Sequence, residues 1–166
     1  MDSNATQRLL YVRTPSRLYK VAGADEILEA ARVVVGNRMQ RGTSFSDPQT
    51  AKDFFQGKLA GLQKEVFAAA FLDARHRLIE YVELFQGTID GAEVHPREVV
   101  RHAIRTNSAA IIVAHNHPSG SADPSAADRT VTARLKQALS LVDVRLIDHV
   151  VVGGEQAVAM AERGWI

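Results

Sequence analysis

Two histidines with one residue between them, His115 and His117, follow directly on the apolar run "AAIIVA" (109–114). A serine and an aspartate, Ser125 and Asp128, close the same stretch, "HNHPSGSADPSAAD" (115–128). Imidazole and carboxylate are the donors a divalent transition metal takes when no thiolate is offered, and this chain has no cysteine. Residues two apart on an extended backbone face one side, so both rings can reach one point while Asn116 points elsewhere. Pro118 stops the strand, and "SGSADP" (119–124) turns the chain back. Ser125 and Asp128, three apart on the helix expected next, share a face of it, so the turn can return Asp128 to the histidines. Three protein ligands leave a fourth position for water, the catalytic rather than the structural form of a zinc site. One zinc per chain is the expectation. The plainer alternative is a polar loop with hydrogen-bonded histidines, and Ser125 with Asp128 three residues on also suits a helix cap.

A site of this kind needs a carboxylate outside the metal shell to take a proton from water. Glu65 opens one apolar run and Glu83 lies late in the next; spacing alone does not choose between them. For Glu65 the alternative is an exposed charge at a strand start beside Lys64. Asp148 and His149, in "LIDHVVVG" (146–153), either orient a ligand imidazole from outside or form a polar pair on a strand. His76, His95 and His102 read as surface residues of a turn, a helix start and a helix.

The elements that must position these groups follow from periodicity and turn chemistry. Residues 1 to about 15 look irregular. "GADEILEAARVVVGNRMQ" (23–40) reads as a helix with Ile27, Leu28, Ala31, Val34 and Val35 on an apolar stripe. A second helix starts at Pro48 with Asp47 as its cap, carries Phe54, Phe55 and Leu59, and ends near Gly57–Gly61. "EVFAAAFLD" (65–73) and "RLIEYVELF" (77–85) form an antiparallel pair closed by "DARH" (73–76). Gly87 and Gly91 serve turns in the connection that follows, since no phosphate-loop spacing accompanies them. A helix over 96–107 turns Val99, Val100, Ala103 and Ile104 inward, and 109–115 is a buried strand. The next helix is expected to be capped by Asp123 with Pro124 at its first position. A strand over 144–153 and a closing short helix, "EQAVAMAER" (155–163), complete the chain. The expectation is an α/β domain with a central sheet and helices packed on it.

Bulk properties narrow the class. The 166 residues suffice for one domain and a small extension, divided here into a tail and helix over 1–43 and a domain over 44–166. A net charge of +1 gives no push toward nucleic acid or a membrane surface. The first 41 residues are more basic, with seven Lys and Arg against four acids, which reads as solvated helix faces and a loose tail. No apolar run is long enough to span a bilayer, and "MDSNATQRLL" lacks a secretory pattern. The absence of cysteine fits a cytoplasmic protein.

Taken whole, "HNHPSGSADPSAAD" resembles the JAMM (MPN/JAB) metalloprotease signature: His-x-His, seven residues, Ser, two residues, Asp. The surrounding sequence from about residue 44 onward is similar to the bacterial RadC family, which carries that domain. The resemblance implies a mixed curved sheet flanked by helices, of cytidine-deaminase-like architecture. It implies zinc on His115, His117 and Asp128, an oxyanion contact from Ser125, and a general base on the Glu that opens the first strand, here Glu65. It implies hydrolysis of a peptide or isopeptide bond in an unidentified protein or peptide substrate. Eukaryotic JAMM enzymes usually carry Ser or Thr where this chain has Asn116. Longer RadC proteins carry a helix-hairpin-helix region whose length and Gly-rich hairpin the short helical start here lacks. Two other function classes stand beside the hydrolase: a DNA repair-associated or nucleic-acid-acting factor, and a non-catalytic module on the same fold. The contiguous "HNH" is not the nuclease motif of that name, which is spread over a ββα element, and retention of all three ligands disfavours the inert module.

Overall fold

The computed structural model describes residues 9–38, 42–87 and 93–166. Gly91, the side chain of Val35, and the expected helical continuation to residue 40 lie outside the described residues. Five strands form one sheet: β3 (Val66–Leu72), β4 (Leu78–Gln86), β5 (Ala110–Asn116), β6 (Arg145–Gly153) and β7 (Gln156–Ala159), in the order β4-β3-β5-β6-β7. All neighbours are antiparallel except β5 and β6, which are parallel. A parallel pair needs a crossover, and helix α4 (Ala126–Ser140) supplies it. Helices α2 (Pro48–Leu59) and α3 (Pro96–Arg105) cover opposite faces, with α4 beside α3. The architecture is therefore the mixed sheet flanked by helices that the pattern and the resemblance imply.

Alternation along the strands decides what each face holds. Ala68, Ala70, Leu72, Ile112 and Ala114 face α2, and Phe54, Phe55 and Leu59 close over them with at most 1 % of their surface exposed. The small alanine side chains leave room for aromatic rings, and Phe54 packs edge-on against Phe45, Phe55 and Tyr81. Burying each ring contributes roughly 1.5–3 kcal/mol relative to exposure. Phe67, Ala69, Phe71, Ile111 and Val113 face the other way, under Val99 and Ala103 of α3 and Leu135 and Leu139 of α4. Asp47 caps α2 as expected, accepting from Thr50 N at 2.8 Å, with Pro48 at the first turn.

Five expectations are corrected. Part of the irregular start is a hairpin, β1 (Tyr11–Arg13) paired with β2 (Tyr19–Val21); its turn places Arg17 at φ 64°, a conformation no propensity pattern signalled. Helix α1 (Ala24–Arg38) forms, but its stripe is not core: Ile27 and Val34 are 36 % and 49 % exposed, and Leu28 is half-buried beside Gly61. Ile104, expected inward on α3, is 62 % exposed, because the sheet reaches only the Val99–Ala103 side of that helix. Residues 156–159 are a strand rather than a helix: Gly154, at φ 58°, turns the chain so that Gln156–Ala159 pairs with the open edge of β6. Pairing overrides helix propensity there. Finally, Asp123 does not cap α4. Its carboxylate accepts from Arg163, and the cap is Ser125.

No helix among the described residues is long and apolar enough to cross a membrane.

Candidate metal centre

The carboxyl-terminal end of β5 delivers His115 to the α3/α4 face, and His117 follows as the strand ends. Residue 116 falls between them and points to the α2 side, as alternation requires. The loop after His117 returns to Ser125 and α4, whose first turn carries Asp128. Ser125 Oγ accepts from Asp128 N at 3.1 Å, while Ser125 N donates to Asp128 Oδ2 at 2.6 Å, a reciprocal capping box. The Ser125 hydroxyl also donates to Asp128 Oδ2 at 2.8 Å. These bonds aim the carboxylate at the histidines. Beyond them, Arg129 stacks its guanidinium 3.7 Å from the centre of the Trp165 ring, holding the carboxyl-terminal tail against the start of α4.

Three ligand atoms converge. His115 Nε2 lies 2.9 Å from His117 Nε2 and 3.1 Å from Asp128 Oδ1, and His117 Nε2 lies 3.5 Å from Asp128 Oδ2. Donors bound tetrahedrally at zinc distances stand about 3.3 Å apart, so this spacing fits such an ion. Both remaining ring nitrogens are already engaged: His117 Nδ1 meets Ser121 O at 2.8 Å, and His115 Nδ1 meets His149 Nε2 at 2.8 Å. The donor set, two imidazoles and one carboxylate, is one that a borderline divalent ion accepts. Burial would raise the proton affinity of Asp128, but its hydrogen bond with His115, the charge of that ring and the Ser125 bonds outweigh this and hold the carboxyl well below the usual range. The ligand carboxylate is thus ionised throughout the neutral range. His149 is completely buried, and that burial, with His115 beside it, drives its proton affinity well below that of an ordinary histidine.

The candidate bases separate cleanly. Glu65, just before β3, shares the facing of Phe67 and lines a cleft of about 530 Å³ together with His115, His117, Ser125 and Asp128. Glu83 pairs across from Ala68, on the α2 side of the sheet, where its carboxylate accepts from the Tyr81 hydroxyl at 3.3 Å. The residue between the histidines has its own task. Asn116 Oδ1 accepts from Val66 N at 2.8 Å, and its Nδ2 donates to Lys64 O at 2.9 Å. Asn116 therefore grips the backbone on both sides of Glu65 and ties the cleft's carboxylate to the strand that carries the histidines.

Asp148 stays out of the site: its Oδ1 accepts from His149 N at 2.7 Å and Ala161 N at 3.0 Å, on the α2 side. His149 reaches the site. His95 is exposed at the rim of the cleft, as a surface residue should be, whereas His102 is half-buried against Phe71. Two residues escaped sequence reasoning. Thr132 bonds His149 Nδ1 at 2.6 Å, and nothing in a single mid-helix threonine signals that. Gly153 lets the 117–122 loop lie against β6, since a Cβ there would fall 2.2 Å from the Ser121 carbonyl carbon. A glycine ending an apolar strand was the available hint.

The sequence model for the RadC-like JAB domain matches residues 45–165. The chain belongs to that family. A relative named UPF0758 protein from Xanthomonas campestris pv. campestris (strain 8004) is 52 % identical over 152 residues, 92 % of this chain and 66 % of that protein. One of the same name from Vibrio cholerae serotype O1 is 53 % identical over 140 residues, covering 84 % of this chain and 88 % of the relative. A third, from Xylella fastidiosa (strain 9a5c), is 58 % identical over 128 residues, 77 % of this chain and 57 % of that protein. The chain thus spans slightly under two thirds of the Xanthomonas protein and most of the Vibrio one. The RadC-like match begins at Phe45, three residues before α2, so it takes in the whole five-stranded sheet and every residue of the His-His-Asp cluster.

Proposed function

We propose that this RadC-like JAB domain is a zinc-dependent hydrolase of peptide or isopeptide bonds. The observation that carries the reading is the convergence of His115, His117 and Asp128 in one cleft with Glu65. Zinc held there would supply Lewis acidity toward a carbonyl group and toward water. Glu65, held by the Asn116 clamp, accepts the proton that water loses and returns it to the departing amine. Ser125 keeps the cap bond from Asp128 N and turns its hydroxyl hydrogen from Asp128 Oδ2 toward the oxygen that gains charge. The amino-terminal end of α4 adds its dipole at the same place. The substrate is an unidentified peptide or protein segment.

Elemental analysis of the purified protein beside a His115→Ala/His117→Ala variant tests the metal. Near one zinc per chain, lost in the variant, is expected; failure of the wild type to retain zinc after loading and desalting would sink the reading. A peptidase and isopeptidase screen then uses Glu65→Gln as control. That variant should keep its zinc and lose roughly 10²–10⁴-fold in turnover. Wild-type turnover in Glu65→Gln would remove Glu65 from the chemistry.

A further inference from the structure

We propose that Thr132 and His149 are positioning residues that set the tautomer of His115, so that its Nε2 presents a lone pair to the metal. The inference rests on the zinc reading above. Its direction comes from one backbone carbonyl. Thr132 Oγ1 lies 2.5 Å from Asp128 O, and a carbonyl oxygen only accepts, so the single hydroxyl hydrogen of Thr132 lies on that line. Met160 Sδ, at 3.7 Å, is the weaker and more distant acceptor. With its hydrogen committed, Thr132 Oγ1 can only accept from His149 Nδ1, 2.6 Å away. His149 therefore carries its proton on Nδ1 and bares Nε2. That Nε2 sits 2.8 Å from His115 Nδ1 and must accept from it. In its neutral form His115 then carries its proton on Nδ1, which leaves Nε2, the atom facing His117 and Asp128, to offer its lone pair to a metal.

The relay is enclosed: His149 is 0 %, His115 2 % and Thr132 2 % exposed. It also forms a circuit. It leaves the ligand His115 on β5, passes through β6, and ends on the backbone of the ligand Asp128 in α4. His117 reaches the same tautomer by a shorter route, its Nδ1 donating directly to Ser121 O. Outer partners of this kind raise ligand basicity and orient the ring, and their loss typically weakens metal binding 10–100-fold. Without the Thr132 hydroxyl, His149 is free to carry its proton on Nε2 instead. It would then donate to His115 Nδ1 and drive the His115 proton onto the ligand nitrogen.

Zinc affinity by chelator competition, on the full chain, reads this directly. Thr132→Val keeps the shape and removes the hydroxyl; it should bind zinc about 10–100-fold more weakly. Thr132→Ser restores the hydroxyl and should bind as wild type does. Circular dichroism and thermal melting of both metal-free variants report whether the fold persists. Imidazole ¹⁵N NMR of the zinc-loaded wild type, which needs no variant, should place the His149 proton on Nδ1. Wild-type zinc affinity in Thr132→Val, or a His149 proton on Nε2, overturns the relay while leaving the metal site standing. A wild type that takes up no zinc overturns the metal reading and the relay together.

Discussion

On the α2 side of the sheet, Phe45, Phe54, Phe55 and Leu59 seal over alanines and branched residues, and the buried polar groups of that side, Asn116 and Asp148, bond to backbone. On the other side the same strands present Phe67, Phe71, Ile111 and Val113, and then His115 near the carboxyl-terminal end of β5 and His149 in the middle of β6. Each strand contributes alternate residues to both faces, so the difference between the two lies in side-chain chemistry and not in backbone. Beneath those rings the α2 face is held by transfer energy and packing. The α3/α4 face has imidazoles and a hydroxyl inside it, and each must find a partner, because an unpaired polar group in such a place is costly. The pairing that satisfies them also orients His115. One face stabilises; the other spends its interior on the site.

That contrast can be broken or sharpened by substitution. The largest effect should come from Phe55→Ala on the α2 face, which removes a fully buried ring. A loss of about 3–5 kcal/mol in urea unfolding is expected, with zinc per folded chain unchanged. Loss of zinc from the folded fraction would show that the two faces are not separable. Asn116→Ala acts at the seam, since Asn116 points to the α2 side while its neighbours His115 and His117 line the cleft on the other. Leaving Val66 N and Lys64 O without this partner should cost about 1–3 kcal/mol. Turnover should fall with zinc content intact, because Glu65 and not the metal loses its support. Unchanged kcat would remove the clamp from the account. The smallest effect belongs to Asp148→Asn. Burial raises the Asp148 carboxyl above its ordinary value of 3.8. A raised folded pKa means the carboxylate lowers stability once pH passes the unfolded value, and that protonation relieves it. An Asn oxygen can still accept from His149 N and Ala161 N, so Asp148→Asn should raise the Tm slightly at pH 7. The gain should shrink as pH is lowered toward 4. A gain independent of pH would point to something other than the buried charge.

The start of helix α2 was legible to the residue, through Asp47 and Pro48, and its buried face through the Phe54/Phe55 pair, because capping and helical periodicity are local. Strands β3 to β6 were legible to within one residue at each end, since their apolar runs end at turn residues. The closing strand was not, because "EQAVAMAER" is pairable as a strand only where β6 offers an open edge. The α1 stripe misled for the opposite reason: its periodicity is helical, but the sheet lies elsewhere. Ser125 was legible as a cap and as a site residue, and Asp123 was the wrong choice of cap because its carboxylate is taken by Arg163, forty residues on.

The sequence by itself determined that His115, His117 and Asp128 could meet, since His-x-His at a strand end and Ser-x-x-Asp at a helix start fix facing through backbone periods of two and 3.6 residues. It also determined the central elements and the family resemblance. The resemblance favoured Glu65 over Glu83 where spacing did not choose; only the tertiary structure shows that Glu65 meets the cleft and Glu83 does not, because which face of the sheet a strand residue meets depends on register with its neighbours. It alone gave Asn116 its grip on the Glu65 segment and brought His149 and Thr132 behind His115. Those contacts join residues 17 to 54 positions apart in the chain, and no local pattern encodes a hydrogen bond between side chains that only packing brings together.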